Sequence, residues 1–219
     1  MTPGITICCL KKGDRYRSYY VHILEAMVRR NVVSTPYEFV CFTDDNREIA
    51  PYIRTAPLLY DAPKWWGKMG LYMKAIPGIN TERLLYLDLD LVITGQLDEL
   101  LQYEVDFAMA KDFPLGKYPK GSLRDRMGNS SVICLKVGAV SQIWDWYCLA
   151  GKPENEPFGD QDWVNKEFPD LIKTLPERFV RSYKLHYLEG TIPPKCSIVM
   201  FHGHPKPPDC GGWVKELWK

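Results

Sequence analysis

Two carboxylates, Asp88 and Asp90, stand two residues apart inside an otherwise apolar run, Arg83 to Ile93 (RLLYLDLDLVI). The run is rich in Leu with Val and Ile and is short for a helix, so it predicts a strand. On a strand, Leu84, Tyr86, Asp88, Asp90 and Val92 share one face, and Leu85, Leu87, Leu89, Leu91 and Ile93 the other. Two neighbouring carboxylates repel, and a buried unpaired one would sooner protonate than stay charged. Either something positive sits between them or the strand ends there and opens into a polar cleft. A divalent cation meets both conditions. The plainer alternative is that one Asp caps the following turn and the other is solvated.

Further along, Met200-Phe201-His202-Gly203-His204-Pro205-Lys206-Pro207 offers an imidazole and a cation. An imidazole beside carboxylates suits Mn²⁺ better than Ca²⁺, with Mg²⁺ a second choice. Lys206 can meet a phosphate as a point charge. Zinc is a rival, since Cys196, His202, His204 and Cys210 lie symmetrically, but their spacing matches no common zinc module. Gly159-Asp160-Gln161-Asp162 reads either as a helix N-cap and dipole complement or as a polar cluster for sugar hydroxyls. Asn129-Ser130-Ser131 is either a turn or a hydroxyl clamp. Lys68 is either solvated or paired with a phosphate or carboxylate. Near the N-terminus, Lys12-Gly13-Asp14 is followed by Tyr16, whose ring can stack on a base while Asp14 accepts from its N–H. Neither G-x-G-x-x-G nor G-x-x-x-x-G-K-[ST] occurs, so dinucleotide and P-loop binding have no support.

These groups need a scaffold. Ile5 to Leu10 predicts a first strand, Tyr16 to Arg30 a helix and Tyr37 to Thr43 a second strand, ended by Asp44-Asp45. Strand, helix, strand in that order implies a right-handed crossover and a parallel sheet. A short strand over Ile53 to Leu59 and a helix over Trp65 to Ile76, stopped by Pro77-Gly78, lead to the acidic strand. Leu97 to Leu101 reads as one helical turn, Asp106 to Lys111 and Asn129 to Val137 as strands. Phe113 to Met127 reads as a mobile loop that closes over a ligand. Helices follow over Val140 to Leu149 and from Gly159 to Phe168, then short strands at Leu185 to Tyr187 and Ser197 to Phe201. The fold class is therefore α/β: one domain over 1–219 with a Rossmann-like, mostly parallel central sheet flanked by helices. In such sheets ligands bind beyond the carboxyl ends of the strands, where Asp14, Asp44 and the Asp88/Asp90 pair all fall.

Composition narrows the function. The 28 basic and 27 acidic residues nearly cancel, which argues against a general nucleic-acid binder. No run of eighteen apolar residues exists, so no transmembrane helix is expected. The N-terminus goes straight into a strand and does not read as a signal peptide. The seven cysteines show no C-x-x-C pair, and Cys8, Cys9, Cys41 and Cys134 lie in apolar runs as small hydrophobes, so a reduced, cytoplasmic protein is expected. Trp213, Lys215, Trp218 and Lys219 allow at most a peripheral membrane contact.

In order along the chain, these pieces resemble glycosyltransferase family 8, the glycogenin and lipopolysaccharide galactosyltransferase family, which has the GT-A fold. Lys68 followed by LLYLDLDLVI is similar to its lysine-bearing helix and D-x-D strand. Asn129-Ser130 is similar to its N-[SA]-G segment, with Ser131 in place of the glycine. Gly159-Asp160-Gln161-Asp162 with Asn165 is similar to its D-Q-D-x-x-N motif. His202-Gly203 and Lys206-Pro207 are similar to its H-[FY]-x-G-x-x-K-P-W ending, compressed and without the Trp. The resemblance implies a metal-dependent transfer of sugar, with retention, from a UDP-linked nucleotide-sugar to the hydroxyl of a carbohydrate or other acceptor. It implies Mn²⁺ on Asp88, Asp90 and His202, the diphosphate on Lys206, and the base near Asp14 and Tyr16. It implies the donor sugar near Asn129, Asp160 and Gln161, with Asp160 and Gln161 catalytic, and Lys68, Leu89, Ser130 and Gly203 also on the donor. Two rival functions stay open: a nucleotidyltransferase, for which KKGDRY is a poor signature, and a non-catalytic nucleotide-sugar or carbohydrate-binding module.

Overall fold

The computed structural model describes residues 4–112, 127–154, 159–187 and 196–219. The expected closing loop, Phe113 to Met127, lies outside these residues except for Met127. Strand β1 (Ile5–Lys11) turns Ile5, Ile7 and Cys9 to one face and Cys8 to the other, all buried. Helix α1 (Tyr19–Asn31) covers the first face with Val21, Leu24, Met27 and Val28. Strands β2 (Tyr37–Thr43) and β3 (Arg54–Pro57) continue the sheet in parallel. After a 3-10 helix (Lys64–Tyr72), β4 (Arg83–Leu87) returns to pair in parallel with the other edge of β1.

Among the described residues the remaining elements are β5 (Leu91–Ile93), α2 (Asp98–Leu101), β6 (Phe107–Lys111), β7 (Gly128–Lys136), α3 (Ser141–Leu149), α4 (Gly159–Glu167), β8 (Lys173–Thr174), β9 (Val180–Ser182), α5 (Tyr183–His186), β10 (Ile198–Met200), a 3-10 turn (Pro207–Asp209) and α6 (Gly212–Leu217). The main sheet has the order β3-β2-β1-β4-β7-β6-β8, and β7 is antiparallel to both its neighbours. A three-stranded sheet, β5-β10-β9, packs into the core on the α1 side. The opposite face is covered by the 3-10 helix, α3 and α4 through Trp66, Met69, Ile143, Tyr147, Trp163 and Val164. The chain thus runs outward from β1 to β3 and then crosses back to β4. The carboxyl ends of β1 and β4 form a switch point, the place where open α/β sheets bind ligands.

Three sequence expectations are corrected. The acidic strand is not continuous. It leaves the main sheet after Leu87, turns through Asp88-Leu89-Asp90, and enters the small sheet as β5. The opening into a polar cleft holds, while the same-face argument from an unbroken strand does not. The helix expected over Trp65 to Ile76 is the 3-10 segment ending at Tyr72. Its Gly70 lies so close to the preceding loop that a Cβ there would sit 2.5 Å from Leu59 Cβ. The strand expected at Leu185 to Tyr187 is the short helix α5, closed by the Ser182 N–H donating to His186 Nδ1 at 3.1 Å. The C-terminal tryptophans pack inward. Trp213 is buried, and the Trp218 ring meets Tyr20 at 5.1 Å. Among the described residues no helix is long and apolar enough to cross a membrane.

Candidate active site

A cavity of about 600 Å³ opens at the switch point. Four separated segments reach it. The β1 exit contributes Asp14 and Tyr16, the β4–β5 turn Asp88 and Asp90, the start of α4 Asp160 and Gln161, and the segment after β10 His202, Gly203 and Lys206. Lys68 and Ser130 complete the set. Of the residues that the resemblance placed on the metal or the donor, Leu89 and Asn129 are not in the lining. Leu89 is 3% exposed and packs in the core on the α1 side, because the turn that presents both carboxylates drives the residue between them inward. Asn129 Oδ1 accepts from the Ser131 N–H at 2.9 Å, and its Nδ2 donates to Asp112 at 3.4 Å.

The two carboxylates are held alike. Asp88 Oδ1 accepts from the Tyr86 hydroxyl at 2.7 Å and from Lys68 Nζ at 2.8 Å. Asp90 Oδ2 accepts from the Tyr16 hydroxyl at 2.8 Å and from Lys206 Nζ. Burial, with Asp90 beside it, pushes the Tyr16 hydroxyl's pKa up, so it stays a donor. Tyr16 therefore ties the β1 exit to the acidic turn, a contact its reading as a stacking ring did not include.

Lys68 is the buried hub. Besides Asp88 it donates to Ser130 O and Oγ, each at 3.2 Å. Burial works against its charge, but Asp88, with Asp160 and Asp90 behind it, prevails and raises the pKa. Helix α4 is clamped to β7 by Asn165, which accepts from the Gly128 N–H at 2.8 Å and donates to Gly128 O at 2.7 Å. Gln161 Oε1 accepts from the Ser130 N–H at 3.2 Å. These contacts fix Asp160 at the cavity wall, only 2% exposed, with Oδ2 lacking any hydrogen-bond partner. Burial pushes the Asp160 pKa up, against the pull of Lys68 and Ser130. A buried carboxylate oxygen without a partner is costly and marks a group kept for something other than stability.

The donor types suit a divalent cation. Each Asp commits one oxygen to its lysine and tyrosine, and Asp88 Oδ2 and Asp90 Oδ1 are not among the buried oxygens left without a partner. Burial, with Lys184 nearby, pushes the His202 pKa down, which favours the neutral, ligating imidazole. Its Nε2 lies 2.6 Å from Ser182 Oγ. As they stand, no three His, Cys, Asp or Glu side chains among the described residues are grouped to hold a metal. The zinc alternative's Cys196 and Cys210 turn their thiols to backbone carbonyls, at Ile198 O (3.0 Å) and Lys206 O (3.5 Å).

Arg15 and Trp65 are among the lining residues that the sequence reading missed. The Arg15 guanidinium lies between two rings, 5.7 Å from the Tyr16 ring centroid and 5.9 Å from that of Trp65. Trp65 lies flat against the start of α4: a Cβ on Gly159, whose φ is +82°, would stand 1.7 Å from Trp65 Nε1. Only a glycine in the left-handed region admits that ring. Gly159 immediately before Asp160 was a sequence signal, but its partner, 94 positions earlier, was not legible.

Comparison with known proteins gives the fold. No family model matches the chain, and no curated protein matches its sequence. Solved structures do. An active-site mutant of LgtC superposes with a TM-score of 0.69 at 15% identity, covering 97% of this chain and 94% of that one. The glycosyltransferase GlyE of Streptococcus pneumoniae TIGR4 gives 0.68 at 15% identity, covering 99% of this chain and 60% of its own. Mouse xyloside xylosyltransferase 1 gives 0.55 at 15% identity, covering 92% and 97%. The chain has the GT-A fold of these glycosyltransferases.

Proposed function

We propose that this protein is a glycosyltransferase acting on a nucleotide-sugar, UDP-linked, and transferring the sugar to the hydroxyl of a carbohydrate or other acceptor with retention. The observation that carries the reading is the convergence of four segments, at 14–16, 88–90, 160–161 and 202–206, on one cavity at the switch point of a GT-A sheet. LgtC, a galactosyltransferase of this fold, has been solved with donor and acceptor sugar analogues, which supports a donor and an acceptor sharing such a cavity. All seven cysteines are free, which supports a reducing, cytoplasmic setting for a single 1–219 domain.

The chemistry follows the charges. The bond from the anomeric carbon to the diphosphate breaks, its electron pair leaves on the diphosphate, and the acceptor oxygen takes its place, the acceptor's hydroxyl proton passing to the departing diphosphate. Asp14 and Tyr16 face the nucleoside end, and Lys206 meets the diphosphate charge. A divalent cation, Mn²⁺ or Mg²⁺, would be held by Asp88 and Asp90 with His202 and would supply further positive charge to the departing diphosphate. Asp160, ionised and oriented by α4, serves the electron-poor anomeric carbon, either as a nucleophile or as a fixed negative charge for a same-face path. Gln161 is held beside it through Ser130.

A screen of nucleotide-sugars with Mn²⁺, reading release of free nucleoside diphosphate, tests this. One UDP-sugar is expected to release UDP, faster with acceptor present, and NMR of the product is expected to show the donor's anomeric configuration. No release from any nucleotide-sugar sinks the transferase reading in favour of a binding module. An inverted product removes the retaining step alone.

A further inference from the structure

Four charges at the head of the cavity cancel: Asp88 with Lys68, and Asp90 with Lys206. The two pairs share a design, one carboxylate oxygen taking a lysine and a tyrosine, yet the lysines are held differently. Lys68 is buried and shares its protons among Asp88 and two atoms of Ser130. Lys206 has about twice the side-chain exposure, 19% against 9%, and among the described residues its ammonium is recorded on Asp90 alone. Lys68 is therefore fixed, whereas Lys206 is attached by one contact at the cavity surface.

This bears on metal binding. A dication approaching Asp88 and Asp90 meets carboxylates already neutralised, with an ammonium on each. Like charges on one carboxylate oppose each other at any interior dielectric. An incoming diphosphate changes the balance, because its oxyanions offer Lys206 a second place to go while staying within reach of the same cavity.

We propose that Lys206 is an exchangeable counter-ion: it neutralises Asp90 in the ligand-free protein and passes to the diphosphate when the donor binds, so that metal and diphosphate each tighten the other's binding. The reciprocity is required by linkage, whichever ligand arrives first. This inference rests on the donor reading above and adds to it the coupling between its two charged ligands. Tyr16 is the partner that stays on Asp90 throughout.

The test measures Mn²⁺ binding to the full chain by loss of the free-ion electron paramagnetic resonance signal, with no nucleotide present. Lys206→Met, and Lys206→Gln as a second neutral variant, are expected to bind Mn²⁺ about tenfold more tightly than wild type, because the competing charge is gone. Lys206→Arg, which keeps the charge, is expected to stay near wild type. In a second arm, UDP is titrated calorimetrically in Mn²⁺ and in EDTA. The gain from Mn²⁺ is expected to be large in wild type and much smaller in Lys206→Met. Unchanged or weaker Mn²⁺ affinity in both folded neutral variants overturns the proposal, as does wild-type UDP binding indifferent to Mn²⁺. The metal-only arm contains no donor, so its failure is distinct from a failure of sugar transfer.

Discussion

Asp160→Asn is expected to lower sugar transfer by at least about a thousandfold while leaving Mn²⁺ and UDP affinity nearly unchanged. The substitution keeps shape and volume and removes only the charge. The carboxylates and lysines proposed for metal and diphosphate, Asp88 with Lys68 and Asp90 with Lys206, are left in place. The loss should appear in kcat rather than in donor KM, since a charge that serves only the transition state does not aid ground-state binding. Equal losses in transfer and in UDP binding would reassign Asp160 to structure. The wild-type pH profile carries the same signature. Burial raises the Asp160 pKa above the ordinary aspartate value of about 3.9. Since the ionised form is the active one, transfer should fall as pH drops through that raised pKa, and the acid limb that Asp160 sets should vanish in the residual rate of Asp160→Asn.

Lys68→Met is expected to cost about 3 kcal/mol of stability at neutral pH and to abolish transfer as well. Methionine fills the space of the lysine stem, so packing is kept and the lost cation is what the experiment reads. Without it, Asp88 keeps only the Tyr86 hydroxyl on Oδ1, and Asp160 loses the attraction that opposes its burial. The pH dependence has a definite sign. A carboxyl whose folded pKa is raised favours folding below its unfolded pKa and loses that contribution as pH rises through the folded one. Lys68→Met removes the attraction that holds the raised Asp160 pKa down, so the deficit should be largest at neutral pH and shrink towards about pH 4, where the unfolded chain also protonates. Urea unfolding at several pH values checks this. A deficit that does not vary with pH would mean that Lys68 contributes packing rather than charge.

What was legible in the sequence and what was not divide along physical lines. The strands over Ile5 to Leu10 and Tyr37 to Thr43 were legible because parallel strands buried on both faces are apolar nearly throughout. The conflict of Asp88 and Asp90 with their apolar surroundings marked the site, since a local rule broken in a good strand needs a reason. The same pattern overextended the strand: nothing in LDLDL signals that Leu87 and Leu91 belong to different sheets, which depends on β10 arriving some hundred residues later. The pairings that define the site are of that kind. Tyr16 with Asp90, Lys206 with Asp90 and Trp65 with Gly159 join residues far apart in the chain, and side-chain type does not encode partner. Tyr86 on Asp88 is the exception, a pair only two residues apart and so within reach of a local reading.

The most direct test of sugar transfer follows which bond breaks. A UDP-sugar labelled both in the sugar carbon and at the β-phosphorus is turned over with Mn²⁺ and acceptor, and the two labels are traced. The expected result is sugar label on the acceptor and phosphorus label released as UDP, meaning cleavage between the anomeric carbon and the diphosphate oxygen. Phosphorus travelling with the sugar would show cleavage at phosphorus and a nucleotidyltransferase. Both labels remaining in intact donor, under conditions where binding is saturated, would show a binding protein and contradict transfer altogether.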